Sequence, residues 1–351
     1  MADVVLRSDP LGQPWAGTDP FLFCVYHQDD FPAADGAQGV DPSHLTGRAM
    51  GQDFSGRDGF SMYHGTRVPG FPAHPHRGFE TVTIVNEGVV DHADSLGAAA
   101  RYGDGDVQWL TAGHGVMHSE MFPLRSRQGP NPLDLYQIWL NLPPQDKMAD
   151  PAFVVQWADD VPVYRVTSAA GAVAAVRIVA GDYRPQEGAD RAPLEALPAT
   201  PKSWSGRAEG DVAIWQISLE PGAAITLPPA MRADARRNLY FHQGDRLDIA
   251  GVSQAGGRLI AVVADAAMPI VNSGQESARI LLLQGVPIGA PVVAHGPFVM
   301  NTAQEIEQAI RDFHQTQFGG WPWGAAGPVH PDGQPRFALP PGAAEPELPP
   351  A

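Results

Sequence analysis

At 351 residues the chain exceeds what one hydrophobic core usually holds, so two domains are expected. Its 44% apolar and 18% charged content is that of a globular protein, and 23 basic against 39 acidic residues, a formal net charge of −16, argues against direct nucleic-acid binding. With Cys24 as the sole cysteine no intrachain disulfide can form; no secretion signal opens the chain, and the longest apolar tract, Ile280 to Ala294, is broken by Gly and Pro, so no membrane partner is expected and the cytoplasm is the expected compartment.

The 38 glycines and 35 prolines favour turns and β-structure. In chain order, Asp19 to Asp30 holds an apolar run that reads as a buried strand. The polar, Gly-rich stretch from Pro32 to Arg57 is long for a structureless loop, which makes it either a lid or a poorly ordered insertion. Short strands follow at Thr81–Val85, Val107–Leu110 and Leu133–Leu140. Pro143-Pro144 marks a break, and Ala149 to Pro162 reads as a connector. A second set of strands is expected at Ala175–Val179, Val212–Leu219, Asn238–His242, Arg258–Val263 and Arg279–Leu283, with Asp182 to Gly206 as a surface loop. Thr302-Ala-Gln-Glu305 is a capping box, and Ile306, Ala309, Ile310 and Phe313 follow at helical spacing. From Gly319 onward Pro, Gly and Ala dominate, so the tail is either draped over the body or disordered. The expected division is 1–148, 149–318 and 319–351, an all-β chain of two units with one short C-terminal helix and a tail.

The two units resemble copies. Thr83-Ile-Val-Asn-Glu-Gly88 matches Leu239-Tyr-Phe-His-Gln-Gly244, each a strand ending in a glycine turn. That register places Ala230 and Arg232 where His74 and His76 stand, so the second copy cannot ligate a metal there.

Six of the 12 histidines fall between His64 and His118. On extended strands His74 and His76 face the same way, as do His118 and Glu120. Three neutral imidazoles and a carboxylate suit Fe(II), Mn, Ni, Cu or Zn. Glu80 lies four residues past His76 and by the same parity competes with Glu120; the general cupin pattern HxHx(3)E would choose it. Gly78 is expected to clear space beside the metal. Phe122 is expected to wall an apolar pocket, His114 to lie just outside the ligands, His64 in a loop and His92 at a strand end.

The segments His74-Pro-His-Arg-Gly-Phe-Glu-Thr-Val-Thr83, Gly105-Asp-Val-Gln-Trp-Leu-Thr-Ala-Gly113, His118-Ser-Glu-Met121 and His295-Gly-Pro-Phe-Val-Met-Asn-Thr302 together resemble the pirin family. The resemblance runs from Asp19 to near Phe318. It implies a bicupin, two cupin-type β-barrels in tandem, with one iron in the first and the ligands lost from the second. It assigns the ligands to His74, His76, His118 and Glu120, and moves Glu80 to the layer just outside them. Where many relatives have arginine after Thr-Ala-Gly, this chain has His114. The implied activity is that of a quercetin 2,3-dioxygenase, with Fe(II), an aromatic or enol substrate, O₂, and Glu120 as the base. The alternative implied is an iron-dependent redox regulator acting through a protein partner.

Overall fold

A computed structural model of the chain describes residues 4–186 and 192–350. The chain packs as two compact units, each of which takes up segments distant in sequence: one comprises the chain up to Cys24 with Asp160–Gly289, the other Val25–Asp159 with Ala290–Ala351. The contiguous spans 1–148, 149–318 and 319–351 are therefore not the packing units. Sheet edges explain the difference, because an unpaired edge is covered by whichever segment reaches it. Val5–Pro10 pairs antiparallel with Arg258–Val262, adding an N-terminal edge strand to the second repeat. Phe337–Leu339, in the tail, pairs with Ala99–Gly103 of the first.

In the histidine-bearing unit one sheet runs in the order Ala152–Gln156, Val107–Thr111, Phe79–Glu87, Asn131–Asn141, Phe21–Phe31. The other runs Phe337–Leu339, Ala99–Gly103, Val89–Asp94, Val116–Met121, Gly70–His76. Val85, Tyr102, Leu110, Phe122 and Leu135 are among the side chains of its core. The other unit repeats the plan: Arg258–Val262, Arg236–Gln243 and Ala278–Gly285 are neighbours in the same order as Val107–Thr111, Phe79–Glu87 and Asn131–Asn141. Gly88 and Gly244, which end the matching strands, both have positive φ (92° and 106°), a backbone state that favours glycine.

The expected strands are present, with one correction. The connector Ala149 to Pro162 contains an edge strand, Ala152–Gln156, paired with Val107–Thr111. Propensity around Pro151 hides it; the pairing supplies the hydrogen bonds. The loop from Asp182 to Gly206 carries the bridge Tyr183 to Leu194 and a 3₁₀ turn at Trp204–Gly206; its residues 187–191 lie outside the described residues.

Pro32 to Arg57 is an ordered cover without a strand of its own. The buried Arg48 guanidinium organises it, pairing with Asp53 at 2.8 Å, donating to Phe60 O at 3.0 Å and lying 3.8 Å over the Phe60 ring. The tail is draped rather than loose. Buried Arg101 is held by Asp91 at 2.7 and 2.8 Å, and its remaining N–H groups donate to the carbonyls of His330, Pro331 and Gln334. The helix Ala303–Thr316 starts at the expected capping box, Thr302 and Glu305 bonding each other's backbone. It packs Ile306 and Ala309 against Phe298, Met300 and Phe318.

Candidate metal centre

The strand Gly70–His76 lies at the edge of its sheet against Val116–Met121, with His74 opposite His118. Alternation brings His74 and His76 to the face shared with His118. The imidazole rings are 4.5 to 4.9 Å apart between centroids, and one ligand nitrogen from each lies within 4.8 Å of the others. Among the described residues no other group of three metal-ligating side chains converges in this way. His76 and His118 are buried and His74 is half-buried, so the cluster is approached from the His74 side.

Ring orientation favours ligation. His74 Nδ1 lies 2.9 Å from Pro72 O and His76 Nδ1 lies 3.4 Å from Pro297 O, contacts that leave Nε2 of each for an ion. Neither ring nitrogen of His118 has a hydrogen-bond partner although both are buried. An orphaned buried imidazole is costly unless something absent from the polypeptide satisfies it, and a metal ion fits that requirement. Burial pushes the His74 imidazole down to about 4 and holds His76 and His118 well below the ordinary histidine range, so all three are in the neutral form that binds metal.

Glu120 follows His118 on the same face. Its Oε2 is 3.8 Å from His118 Nε2; Gln137 Nε2 donates to it at 2.6 Å and Thr83 Oγ1 donates to Oε1 at 3.2 Å. Burial raises its pKa above the usual carboxylate range. Glu80 accepts from Thr111 Oγ1 at 2.7 Å; neither it nor Glu120 is part of the converging group, which is the three histidines alone. The parity argument for Glu80 fails because the chain turns at Arg77 and Gly78 and enters the opposite sheet at Phe79. Gly78 is required by that turn, not by an open metal position. Its φ is 86°, and a Cβ there would lie 2.1 Å from Val299 O. Buried Lys147 pins the turn by donating to Gly78 O at 2.8 Å and Val299 O at 3.0 Å.

Two further expectations change. His114 is not beside the ligands; its side chain is 47% exposed and faces Asp150 at 3.6 Å, while its carbonyl accepts from Arg77 Nε. It is the exposed residue of an otherwise buried turn that follows Val107–Thr111. His92 is no strand-end residue. It lies inside Val89–Asp94, fully buried, 5.6 Å from the His118 ring, with Asp94 Oδ2 3.6 Å from its Nε2. Its pairing opposite Glu120 fixes it there, a relation sequence spacing does not display.

Phe122 is buried with its ring 6.1 Å from Phe71, as an apolar wall requires. The cleft of about 480 Å³ that it lines with Phe31 and Leu124 contains none of the histidines. Phe71 was not anticipated, since odd spacing from His74 should turn it outward. A register shift between Phe71 and His74 turns it back, leaving its ring 6.3 Å from His74. Phe54, from the Pro32 to Arg57 cover, packs against His64 and Tyr63 and reaches Phe71. His64 is in a loop, as expected.

Two repeats of paired sheets, one carrying a cluster of three histidines and the other without it, define a bicupin. The chain belongs to the pirin family: the Pirin profile matches residues 37–140 and that of the pirin C-terminal cupin domain matches 214–319. A Pseudomonas aeruginosa protein with the provisional name quercetin 2,3-dioxygenase is 34% identical over 256 residues, 71% of this chain and 79% of its own. A pirin-like protein of Caulobacter vibrioides is 32% identical over 305 residues, 82% of this chain and 95% of its own. The crystal structure of a quercetin 2,3-dioxygenase from Acinetobacter baumannii superposes with a TM-score of 0.67 at 25% identity, covering 90% of this chain and 98% of that one. Among the described residues no helix is long and apolar enough to cross a membrane.

Proposed function

We propose that His74, His76, His118 and Glu120 bind one divalent metal, Fe(II) in the first place and Mn, Ni, Cu or Zn as substitutes. The protein then acts in the cytoplasm as a quercetin 2,3-dioxygenase-type enzyme on a flavonol or related enol and O₂. The observation that carries this reading is the convergence of three neutral imidazoles, one with both nitrogens buried and unpartnered. The names of the Pseudomonas and Acinetobacter relatives supply the reaction class.

When bound, the metal supplies Lewis acidity toward the substrate hydroxyl and the redox chemistry of O₂. Glu120 would take the hydroxyl proton, a reading supported by its carboxylate lying 3.8 Å from His118. Gln137 and Thr83 hold that carboxylate in one orientation. Phe71, its ring 6.3 Å from His74 and backed by buried Phe122, offers an aromatic surface on the His74 side, suited to a flat aromatic substrate and to excluding water. Incubating metal-loaded protein with quercetin and following loss of flavonol absorbance tests the reading. Absence of turnover with Fe, Mn, Ni and Cu in turn removes it. No feature of the described residues favours the regulatory alternative through a protein partner.

A further inference from the structure

The unit without the histidine cluster keeps a cavity of about 500 Å³, within the usual range for small-molecule sites. Trp215, Pro228, Ala230, Asp211 and Gln284 are among the residues that line it. Ala230 stands in register with His74 when Gly244 is aligned on Gly88. The second repeat has no ligand side chain at that register position, which lies past the end of the strand Ala224–Leu227.

Against this cavity lies Arg237, 1% exposed. Its Nε and Nη2 donate to Gln284 Oε1, and Nη2 also donates to Pro228 O at 2.9 Å. Its guanidinium carbon is 5.9 Å from the centre of the Trp215 ring. These three neighbours line the cavity, which places the charge directly behind its wall. Nη1 has no hydrogen-bond partner, and among the described residues no carboxylate lies within ion-pairing distance of the guanidinium. Asp211 acts on the charge only from further away, its own Oδ2 accepting the backbone N–H of Arg232 at 2.9 Å. A buried cation met only by neutral acceptors is costly, and burial pushes this guanidinium down to about 10.

We propose that the second unit binds a small organic carboxylate in this cavity, its charge on Arg237 and its apolar body along Trp215. The fork of a guanidinium matches a carboxylate, and the indole and Pro198, Pro228 and Pro229 suit a flat apolar group. Nη1 is closed off from solvent, so the anion reaches the guanidinium by displacing Gln284 Oε1, a neutral and weaker acceptor. This site is independent of the metal and of the dioxygenase reading.

The test is isothermal titration calorimetry of the metal-loaded full chain with benzoate, with its neutral analogue benzyl alcohol and with inorganic phosphate. Benzoate is expected to bind at one site per chain and benzyl alcohol to give no heat. Arg237→Met and Ala230→Trp, the latter filling the cavity from its half-buried rim, are each expected to weaken benzoate at least about tenfold. His118→Ala is expected to leave benzoate binding unchanged, which separates this site from any anion held by the metal. Circular dichroism checks the fold of each variant; should Arg237→Met not fold, Ala230→Trp decides alone. No heat from benzoate in the native protein, full binding in Ala230→Trp, or loss in His118→Ala would each overturn the proposal, and binding of phosphate in place of benzoate would overturn the carboxylate assignment.

Discussion

His118 is the residue on which the metal site turns, since it alone of the triad has both nitrogens buried without a partner. His118→Ala is expected to lower metal affinity by more than about tenfold, read as metal content after dialysis by mass spectrometry. Gln137→Ala leaves the histidines untouched and removes the 2.6 Å bond to Glu120. It is expected to weaken metal binding or turnover by about 10- to 100-fold; an unchanged variant would separate Glu120 from the ligand set. The histidine triad was legible from alternation because His74 and His76 share one strand and His118 lies directly across from His74. Glu80, Phe71 and His92 were not legible, for three separate reasons: a sheet-changing turn at Gly78, a register shift before His74, and a cross-strand pairing with Glu120.

At the scale of elements the Pro32 to Arg57 cover is fastened by the Arg48 and Asp53 pair, both side chains buried. Asp53→Ala leaves the buried Arg48 charge with only the exposed Asp58 carboxylate, 3.4 Å away, and is expected to cost about 3 kcal/mol, the low end for a broken buried pair, measured by chemical denaturation. Hydrogen bonds from Ser55, Arg48 and Met62 overcome burial and hold the Asp53 carboxyl down to about 2. A depressed carboxyl contributes stability that is fully present above its unfolded value and is lost as pH falls through the folded one. The window is therefore pH 4 down to about 2, and the contribution roughly 2 kcal/mol. Denaturation midpoints of the native protein and Asp53→Asn are expected to converge across that window. The same cover carries Phe54, 57% exposed beside His64. If flavonol is the substrate, Phe54→Ala is expected to raise KM about three- to tenfold with kcat unchanged, as loss of a stacking face would.

For the whole molecule, one metal ion per chain is expected, because the register equivalents of His74 and His76 are Ala230 and Arg232, and Arg232 is exposed and paired with Asp234. Removal of residues 319–351 strips three carbonyl acceptors from buried Arg101 and a strand from the sheet edge. A loss of at least about 2 kcal/mol is expected on denaturation; an unchanged midpoint would mean the tail is only apposed. The amino-acid sequence by itself determined the all-β class, the duplicated plan, the capped helix and the three histidines, since each rests on local periodicity, a turn glycine or a short motif. It also marked the second repeat as unable to ligate. Only the tertiary structure decided which edges the chain ends cover, that the insertion and tail are ordered, and where Glu80, His92 and His114 lie. Those outcomes depend on pairings between residues tens to hundreds of positions apart, such as Arg101 with the carbonyl of Gln334, and on turns that switch a strand between sheets. No repeat of two or 3.6 residues encodes either.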